Sequence, residues 1–153
     1  MQVYRTNVPG EHVFSLPFYG DGGLPVPKMR MYCIELPDVQ SGDILLCMEE
    51  HVVSGRVRFP GKKAFTAAQL RFGDYFNFWD GTVPMGSANG FDVTPDNPYA
   101  VFSKHCIYVV PIGYTGTQYV SVVGWASSED ATAGDSLELV NGYGHLHILR
   151  LAA

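Results

Sequence analysis

The chain has 153 residues, of which 46% are hydrophobic, 13% aromatic and only 16% charged, and its formal net charge is -5. This length fits a single domain with one buried core, and the acidic balance excludes a nucleic-acid groove, which needs many cations to displace phosphate counterions. No window reaches the roughly 18 apolar residues of a membrane span, so we expect neither a nucleic-acid nor a membrane partner.

The start of the chain carries no targeting signal. Its first residues lack both the basic region and the apolar stretch of a secretory signal peptide. We therefore expect synthesis in the cytoplasm, and we treat residues 1–153 as a single domain.

Nine segments are rich in Val, Ile, Tyr, Phe and Trp and are separated by clusters of Gly, Pro, Asn and Asp, which is the pattern of short β-strands. In chain order, the predicted strands are Val3–Thr6, His12–Pro17, Met29–Leu36, Ile44–Ser54, Tyr75–Trp79, Tyr99–Ile112, Gln118–Ser127, Ser136–Val140 and His145–Leu151. Two stretches rich in Gly and Pro, Gly20–Pro27 and Gly81–Pro98, are predicted to be long loops. Helix signals are confined to Ala64–Arg71, which has room for one or two turns before Gly73.

Many short strands with long connections favour two packed sheets over a simple meander. We therefore predict an all-β protein, a two-sheet β-sandwich of the jelly-roll type, with long loops and at most one short helix. One strand, Gln118–Ser127, is apolar on both faces, because Tyr119 and Val123 alternate with Val120 and Val122. This strand is expected to be central in its sheet and covered on both sides.

A Gly-Asp pair recurs at Gly42-Asp43, Gly73-Asp74 and Gly134-Asp135. Glycine can adopt a positive φ, and the aspartate side chain can accept hydrogen bonds from nearby backbone. Each pair is predicted to turn the chain into a strand.

The segment from Phe72 to Trp79 contains five aromatic residues in eight positions. As a strand, it places Tyr75 and Trp79 on one face and Phe76 and Phe78 on the other. One face can fill the core of the sandwich, but the other leaves an apolar patch that monomers rarely expose. Tyr75, Phe76, Phe78 and Trp79 are therefore the candidate residues of an oligomer interface.

Cys33, Cys47 and Cys106 are widely spaced, which fits neither a zinc ribbon nor an even-numbered disulfide framework. Each stands in an apolar predicted strand, and free cysteines are among the residues most often buried. We predict three reduced, buried thiols.

His145 and His147, two positions apart on a predicted strand, project from one face and could hold a metal. The six residues after His147 include no Asp, Glu or His that would complete a ligand set, so we predict neither a metal nor another cofactor. The chain also lacks a nucleophile elbow, a phosphate-binding loop and a regular calcium loop. We identify no catalytic residues and expect a protein that is not an enzyme.

Three segments near the end of the chain, Gln118–Ser127, Ala133–Leu139 and Gly142–Arg150, combine an apolar strand, a Gly-Asp strand entry and a short last strand. In this they resemble small jelly-roll virion proteins of tailed phages, the cement, decoration and head-fibre proteins that trim the outside of a capsid. The resemblance implies a non-enzymatic virion protein, made in the host cytoplasm, that stabilises or ornaments a phage capsid as a homotrimer. Its partners would be further copies of itself and the major capsid protein or another virion protein.

The alternative is a carbohydrate-binding or phage receptor-binding sandwich module, in which Trp79, Trp125 and Tyr114 stack on sugar rings. A row of exposed rings on one face favours sugar binding, whereas rings buried at subunit contacts favour assembly. A third class, an enzyme on a jelly-roll scaffold, requires polar side chains that converge in a pocket.

Overall fold

The computed structural model describes residues 1–7, 12–17, 28–57, 64–94, 96–97, 99–127 and 136–153. Within these ranges, all the regular secondary structure is β-strand. The strands are β1 (Gln2–Asn7), β2 (His12–Pro17), β3 (Met29–Val39), β4 (Ile44–Val57), β5 (Ala64–Gly73), β6 (Thr82–Pro84), β7 (Asn89–Val93), β8 (Tyr99–Val109), β9 (Gly116–Ser127) and β10 (Ser136–Leu151). Within these ranges, no helix is long and apolar enough to cross a membrane.

The strands form two antiparallel sheets. In sheet one the order is β1-β10-β4-β8, and β2 also pairs with β10; in sheet two the order is β3-β9-β5-β6, and β7 also pairs with β5. From β3 to β5, and again from β8 to β10, successive strands alternate between the two sheets, as they do in a jelly roll. The predicted fold class, an all-β two-sheet sandwich of the jelly-roll type, is confirmed.

The hydrophobic core lies between the inner faces of the two sheets. Alternate residues of the long strands supply it, including Leu45 from β4, Ile148 from β10 and Phe72 from β5. In β9, every position from Val120 to Gly124 is buried, because the strand lies between β3 and β5 and both of its faces are covered. The prediction that this strand is central is therefore confirmed.

The helical turns predicted for Ala64–Arg71 are wrong, because this segment belongs to β5. The strand pairs with β9 on one side and with β6 and β7 on the other, so its backbone groups are satisfied within the sheet. Residues 66–68 and 70–73 are buried. The small side chains of Ala67 and Ala68 suit a crowded position at the centre of a sheet, and this packing overrides a weak helix propensity.

The strand predicted for Tyr75–Trp79 is also wrong, because residues 74–81 form a turn. Gly73 has a φ of 144° and ends β5, and Asp74 accepts a hydrogen bond from the Asn77 amide at 3.0 Å. The Gly73-Asp74 pair therefore leads out of a strand, in contrast to the entry that we predicted.

The other Gly-Asp pair that the structure describes does lead into a strand. Gly42 has a φ of 90°, and β4 begins directly after Asp43. The predicted loop Gly81–Pro98 contains two short strands, β6 and β7, which pair with β5. The predictions for Gly20–Pro27 and Gly134-Asp135 lie outside the described residues.

A buried ion pair joins the end of β10 to the entry of β4. Arg150 lies 2.7 Å from the Asp43 carboxylate and also donates to the Pro37 carbonyl at 2.7 Å. Burial raises the pKa of Asp43, but the backbone amides of Gln40 and Ala153 and the Arg150 guanidinium outweigh that effect and hold the pKa below its usual value. The aspartate is therefore ionised at neutral pH and fixes the turn before β4.

Candidate functional site

The outer face of sheet two is covered by the turn from Asp74 to Gly81, which we call the cover turn. The turn closes on itself, because the Asp74 amide donates to the Gly81 carbonyl at 3.1 Å and the Gly81 amide donates to the Asn77 carbonyl at 2.9 Å. Ser121 and Val123 of β9 point away from the core and are nevertheless fully buried. The protein therefore covers this apolar face with its own chain.

Arg71 attaches the cover turn to the sheet. Its Nη2 donates to the carbonyls of Trp79 at 3.0 Å and Thr82 at 2.9 Å, and its Nε donates to Thr82 Oγ1 at 2.7 Å. Its guanidinium lies 4.0 Å from the centre of the Trp79 ring. Since Arg71 is buried, these hydrogen bonds replace the water that its charge would otherwise hold.

A second arginine holds the other end of the cover turn. Arg30 of β3 lies 3.8 Å from the centre of the Tyr75 ring and donates to the Tyr75 carbonyl. The Tyr75 ring contacts Tyr119 of β9 at 5.0 Å, and the Tyr119 hydroxyl donates to Glu35 at 3.1 Å. Cations and aromatic rings therefore alternate along this face, an arrangement that stabilises both.

The ring of Trp79, which belongs to the cover turn, contacts the ring of Trp125 in β9, with ring centroids 5.6 Å apart and planes at 72°. Lys28 Nζ lies 5.0 Å from the first ring and 4.6 Å from the second, and both rings are half-buried. Tyr114 lies on the core side of the sheet, 5.5 Å from Phe72. The structure thus brings together two of the three residues of the alternative sugar site, and sugar binding stays a prediction.

The four residues predicted to form an oligomer interface all lie in the cover turn. Tyr75, Phe78 and Trp79 are half-buried against the protein's own sheet, whereas the Phe76 side chain is 87% exposed. They do not alternate across two faces of a strand as predicted. Phe76 is the member that a neighbouring molecule can reach, and the interface itself stays a prediction.

The outer face of sheet one has no comparable cover among the described residues, and we call it the bare face. Because the paired strands are in register, its outward side chains form rows that cross the sheet from strand to strand. The first row consists of Leu151, Ile44 and Val109. The second consists of Val3, Leu149, Leu46 and Ile107. The third consists of Arg5, His147, Met48 and His105.

The bare face exposes apolar side chains that are next to one another. Ile107 is 76% exposed and Val109 is 57% exposed, although both belong to a regular strand. Single exposed apolar residues are common on protein surfaces, but a continuous patch indicates a contact with a partner. The signal in the sequence is that both alternate sets of β8 contain apolar residues, with Val101, Ile107 and Val109 in the outward set and Phe102 and Tyr108 in the inward set.

His145 and His147 lie on the bare face, half-buried and on the same side of β10, as their spacing predicts. Their ring centroids are 4.9 Å apart. The pKa of His147 is lowered by burial and by the nearby charges of His145 and Arg5. Among the described residues, no three His, Cys, Asp or Glu side chains are placed to hold a metal ion, and the absence of a metal stays a prediction.

A polar cluster lies inside the sandwich. Glu49 accepts a hydrogen bond from the Tyr32 hydroxyl and contacts His51 Nδ1, and the His51 ring stacks on Phe102 at 4.5 Å. Glu49 and His51 are buried, and the cavity beside Glu49 and Phe102 measures about 10 Å³, room for at most one water molecule. The cavity beside the cluster therefore offers no space for a substrate.

The three cysteines are free thiols, but only Cys47 is buried. Cys33 and Cys106 are half-buried, so the prediction of three buried thiols is wrong for these two. Cys33 faces outward from β3, where it pairs with Ser121, and Cys106 lies on β8 at the edge of sheet one.

No protein-family profile and no curated protein matches the sequence. Among solved structures, the chain is similar to the infectious bursal disease virus Gt strain, with a TM-score of 0.61 and 16% identity over 97% of this chain and 33% of that chain. It is also similar to the VP2 subviral particle of the same virus, with a TM-score of 0.57 and 18% identity over 99% of this chain and 32% of that chain. The likeness is one of fold. The chain spans about a third of the length of these solved structures.

Proposed function

We propose that the chain is a non-enzymatic structural protein of a virion whose jelly-roll domain assembles with further copies of itself. The fold likeness to a virus structure and to a subviral particle supports the viral assignment. The finer role expected from the sequence, a cement or decoration protein that binds a phage capsid as a homotrimer, belongs to this proposal. The proposal also includes a location in the virion after synthesis in the host cytoplasm.

The bare face is the observation that carries the proposal. Strands about 4.8 Å apart and outward rows about 6.8 Å apart give its two apolar rows a footprint of about 20 Å by 14 Å, or about 270 Å², and the polar third row brings the face to about 400 Å². Patches of about 300–600 Å² are the largest that ordinary monomers expose, and they are often functional. A patch of this size on regular strands is better explained by a covering partner than by chance.

A second copy of the chain is the partner that fits best. An equal area on a neighbouring copy raises the total buried surface to about 800 Å², a sum that already includes the polar border of the face and lies at the low end for protein interfaces. One row supplies this polar border, since His147 and His105 flank Met48 and Arg5 lies beyond them. An apolar centre with a polar border is the usual composition of such contacts.

The test compares one charge placed on each outer face. We expect the wild type to be oligomeric by native mass spectrometry, with three copies as the sequence-based expectation. Ile107→Glu should yield a folded monomer, because Ile107 is already largely exposed within one molecule. The matched control, Phe76→Glu, alters a similarly exposed residue on the opposite face and should leave the oligomer intact.

Each alternative outcome has a definite meaning. Loss of the oligomer in Phe76→Glu alone would move the contact to the cover turn, where the sequence placed it. A wild type that is monomeric at high micromolar concentration and that stays off purified virions would contradict the proposed function.

A further inference from the structure

Cys47 and Cys106 face each other across two neighbouring strands. Cys47 lies in β4 and Cys106 in β8, and the two are direct partners in the antiparallel register. Both belong to the inward-facing sets of their strands, since Leu45 and Phe102 of the same sets are buried in the core. Their side chains therefore start from opposite positions on the same face of sheet one.

This placement meets the Cα spacing that a disulfide requires. Directly opposed residues of antiparallel strands have Cα atoms about 4.5–5.5 Å apart, and disulfides span about 4.4–6.8 Å between Cα atoms. Cys33 has no such partner, because it points out of the other sheet beside Ser121.

The two thiols differ in accessibility and in acidity. Cys106 is half-buried on the edge strand, whereas Cys47 is sealed in the core. A hydrogen bond from the Cys47 thiol lowers the pKa of Cys106 to about 7, with burial opposing and the Lys104 charge assisting. The same interaction raises the pKa of Cys47. A partly exposed thiol of lowered pKa beside a protected second thiol is the arrangement found at redox-sensitive sites.

We propose that Cys47 and Cys106 are a redox-active pair that low-molecular-weight disulfides, such as oxidised glutathione, convert into an intramolecular disulfide joining β4 to β8. The Cys106 thiolate attacks one sulfur of oxidised glutathione, the S–S bond breaks, and one glutathione thiolate leaves. Cys47 then gives its proton to that thiolate and attacks the Cys106 sulfur, which releases the second glutathione. Two electrons pass from the protein to the oxidant, which becomes two molecules of reduced glutathione.

The bond would fix the edge strand of sheet one to the middle of that sheet. It closes the loop between Cys47 and Cys106, which contains β5, β6 and β7, and long closed loops stabilise the folded state the most. The chemistry does not depend on the proposed function, because both thiols belong to one molecule.

The experiment uses the whole chain, reduced and then exposed to oxidised glutathione at pH 8. We expect the intact mass to fall by two hydrogen atoms, peptide mapping to join Cys47 to Cys106, and Tm to rise by about 10 °C. The rate should decline as the pH falls through about 7, where the Cys106 thiolate is protonated.

Three serine variants separate the roles of the thiols. Cys47→Ser should stop the reaction at a stable glutathione adduct on Cys106, Cys106→Ser should leave Cys47 unmodified, and Cys33→Ser should react like the wild type. If a core variant does not fold, the mass and peptide map of the wild type still distinguish a disulfide from free thiols. A wild type that keeps Cys47 and Cys106 as free thiols, or that retains glutathione on either of them, would overturn the proposal.

Discussion

The two outer faces of the sandwich are both apolar, yet only one of them is covered by the described residues. On sheet two, Val123 points outward between Arg30 and Gln69 and is fully buried. On sheet one, Ile107 points outward and is largely exposed. The difference shows that an apolar outer face indicates a cover without indicating whether the cover comes from the same chain or from another molecule.

Two arginine side chains hold the cover turn on sheet two, and the bare face has no comparable arrangement among the described residues. Arg71 and Arg30 rise from sheet two and hold the Trp79 and Tyr75 carbonyls, so the turn is fixed at two points. On sheet one, Arg5 and the neighbouring histidines occupy only one row, and the described residues include no segment lying over Ile107. We expect the covered face to contribute to the stability of the monomer and the bare face to contribute to assembly.

The largest effect should come from Arg71→Ala. This change removes the hydrogen bonds to Trp79 and Thr82 and leaves their carbonyls without a charged donor, so we expect the free energy of unfolding to fall by about 3 kcal/mol. Urea denaturation measures this, and the fluorescence of Trp79 reports the release of the turn. Arg5→Ala on the bare face is the control and should cost less than about 0.5 kcal/mol. If Arg71→Ala and Arg5→Ala lower the free energy of unfolding equally, the cover turn contributes nothing to stability.

The next effect concerns the residue from which the cover turn begins. A Cβ on Gly73, whose φ is 144°, would lie 2.6 Å from the Gly81 carbonyl oxygen. We expect Gly73→Ala to destabilise the protein by about 2–3 kcal/mol in urea denaturation. Gly113 has a φ of 96° with no atom within 4 Å of the added Cβ, so Gly113→Ala measures the backbone strain alone, about 1 kcal/mol. If the two variants lose the same amount, the tight closure of the turn is not what requires a glycine.

A smaller effect compares the two faces directly. Val123→Ala removes two buried methyl groups and should lower the free energy of unfolding by about 2 kcal/mol at any protein concentration. Ile107→Ala should cost less than about 0.5 kcal/mol in dilute samples, where the protein is monomeric. Its cost should rise with concentration, because the wild type then gains stability from self-association. If the loss of unfolding free energy in Ile107→Ala does not vary with protein concentration, the bare face does not form the contact.

The smallest effect is a pH dependence at the border of the bare face. The folded pKa of His147 lies below its usual value of 6.5, so the unfolded chain binds this proton more readily than the folded chain does. The corresponding stability is fully present above pH 6.5 and is lost as the pH falls through the lowered pKa. Arg5, His145 and His105 add positive charge nearby, and Glu50 opposite His145 offsets part of it.

Two measurements check this dependence. The ring protons of His147 should titrate below pH 6.5 in NMR spectra, and His147→Gln should flatten the decline of Tm between about pH 7 and about pH 5. A titration midpoint above 6.5 would reverse the expected sign.

The sequence identifies most of this fold because alternation is a local signal. In β9 both alternating faces are apolar, and the observed burial of every position from Val120 to Gly124 agrees with this pattern. The fold class follows from many such strands separated by turn residues. The Ala64–Arg71 segment misleads because Ala, Gln, Leu and Arg favour helices, whereas pairing with β9 decides its structure.

The cover turn could not be predicted because its cause is not local. Aromatic residues favour strands, so Tyr75–Trp79 resembles one, but Arg30 holds the Tyr75 carbonyl from a strand 45 residues away in sequence. Which of the two apolar faces lies open is likewise decided by tertiary contacts. The sequence therefore indicates an interface at the aromatic segment, and the structure adds a second candidate on the opposite sheet.

The pairing of β1 with β10 has a consequence for biosynthesis. Gln2 pairs with Arg150, so sheet one cannot be completed until Arg150 has left the ribosome. Folds dominated by such distant pairings form slowly, in about milliseconds to seconds. During that interval β4 and β8, which carry Leu46 and Ile107, can pair with each other, but the other edge of β4 lacks its neighbour β10. Crowded polysomes, where nascent copies lie close together, are therefore the place where premature association of these strands is most hazardous.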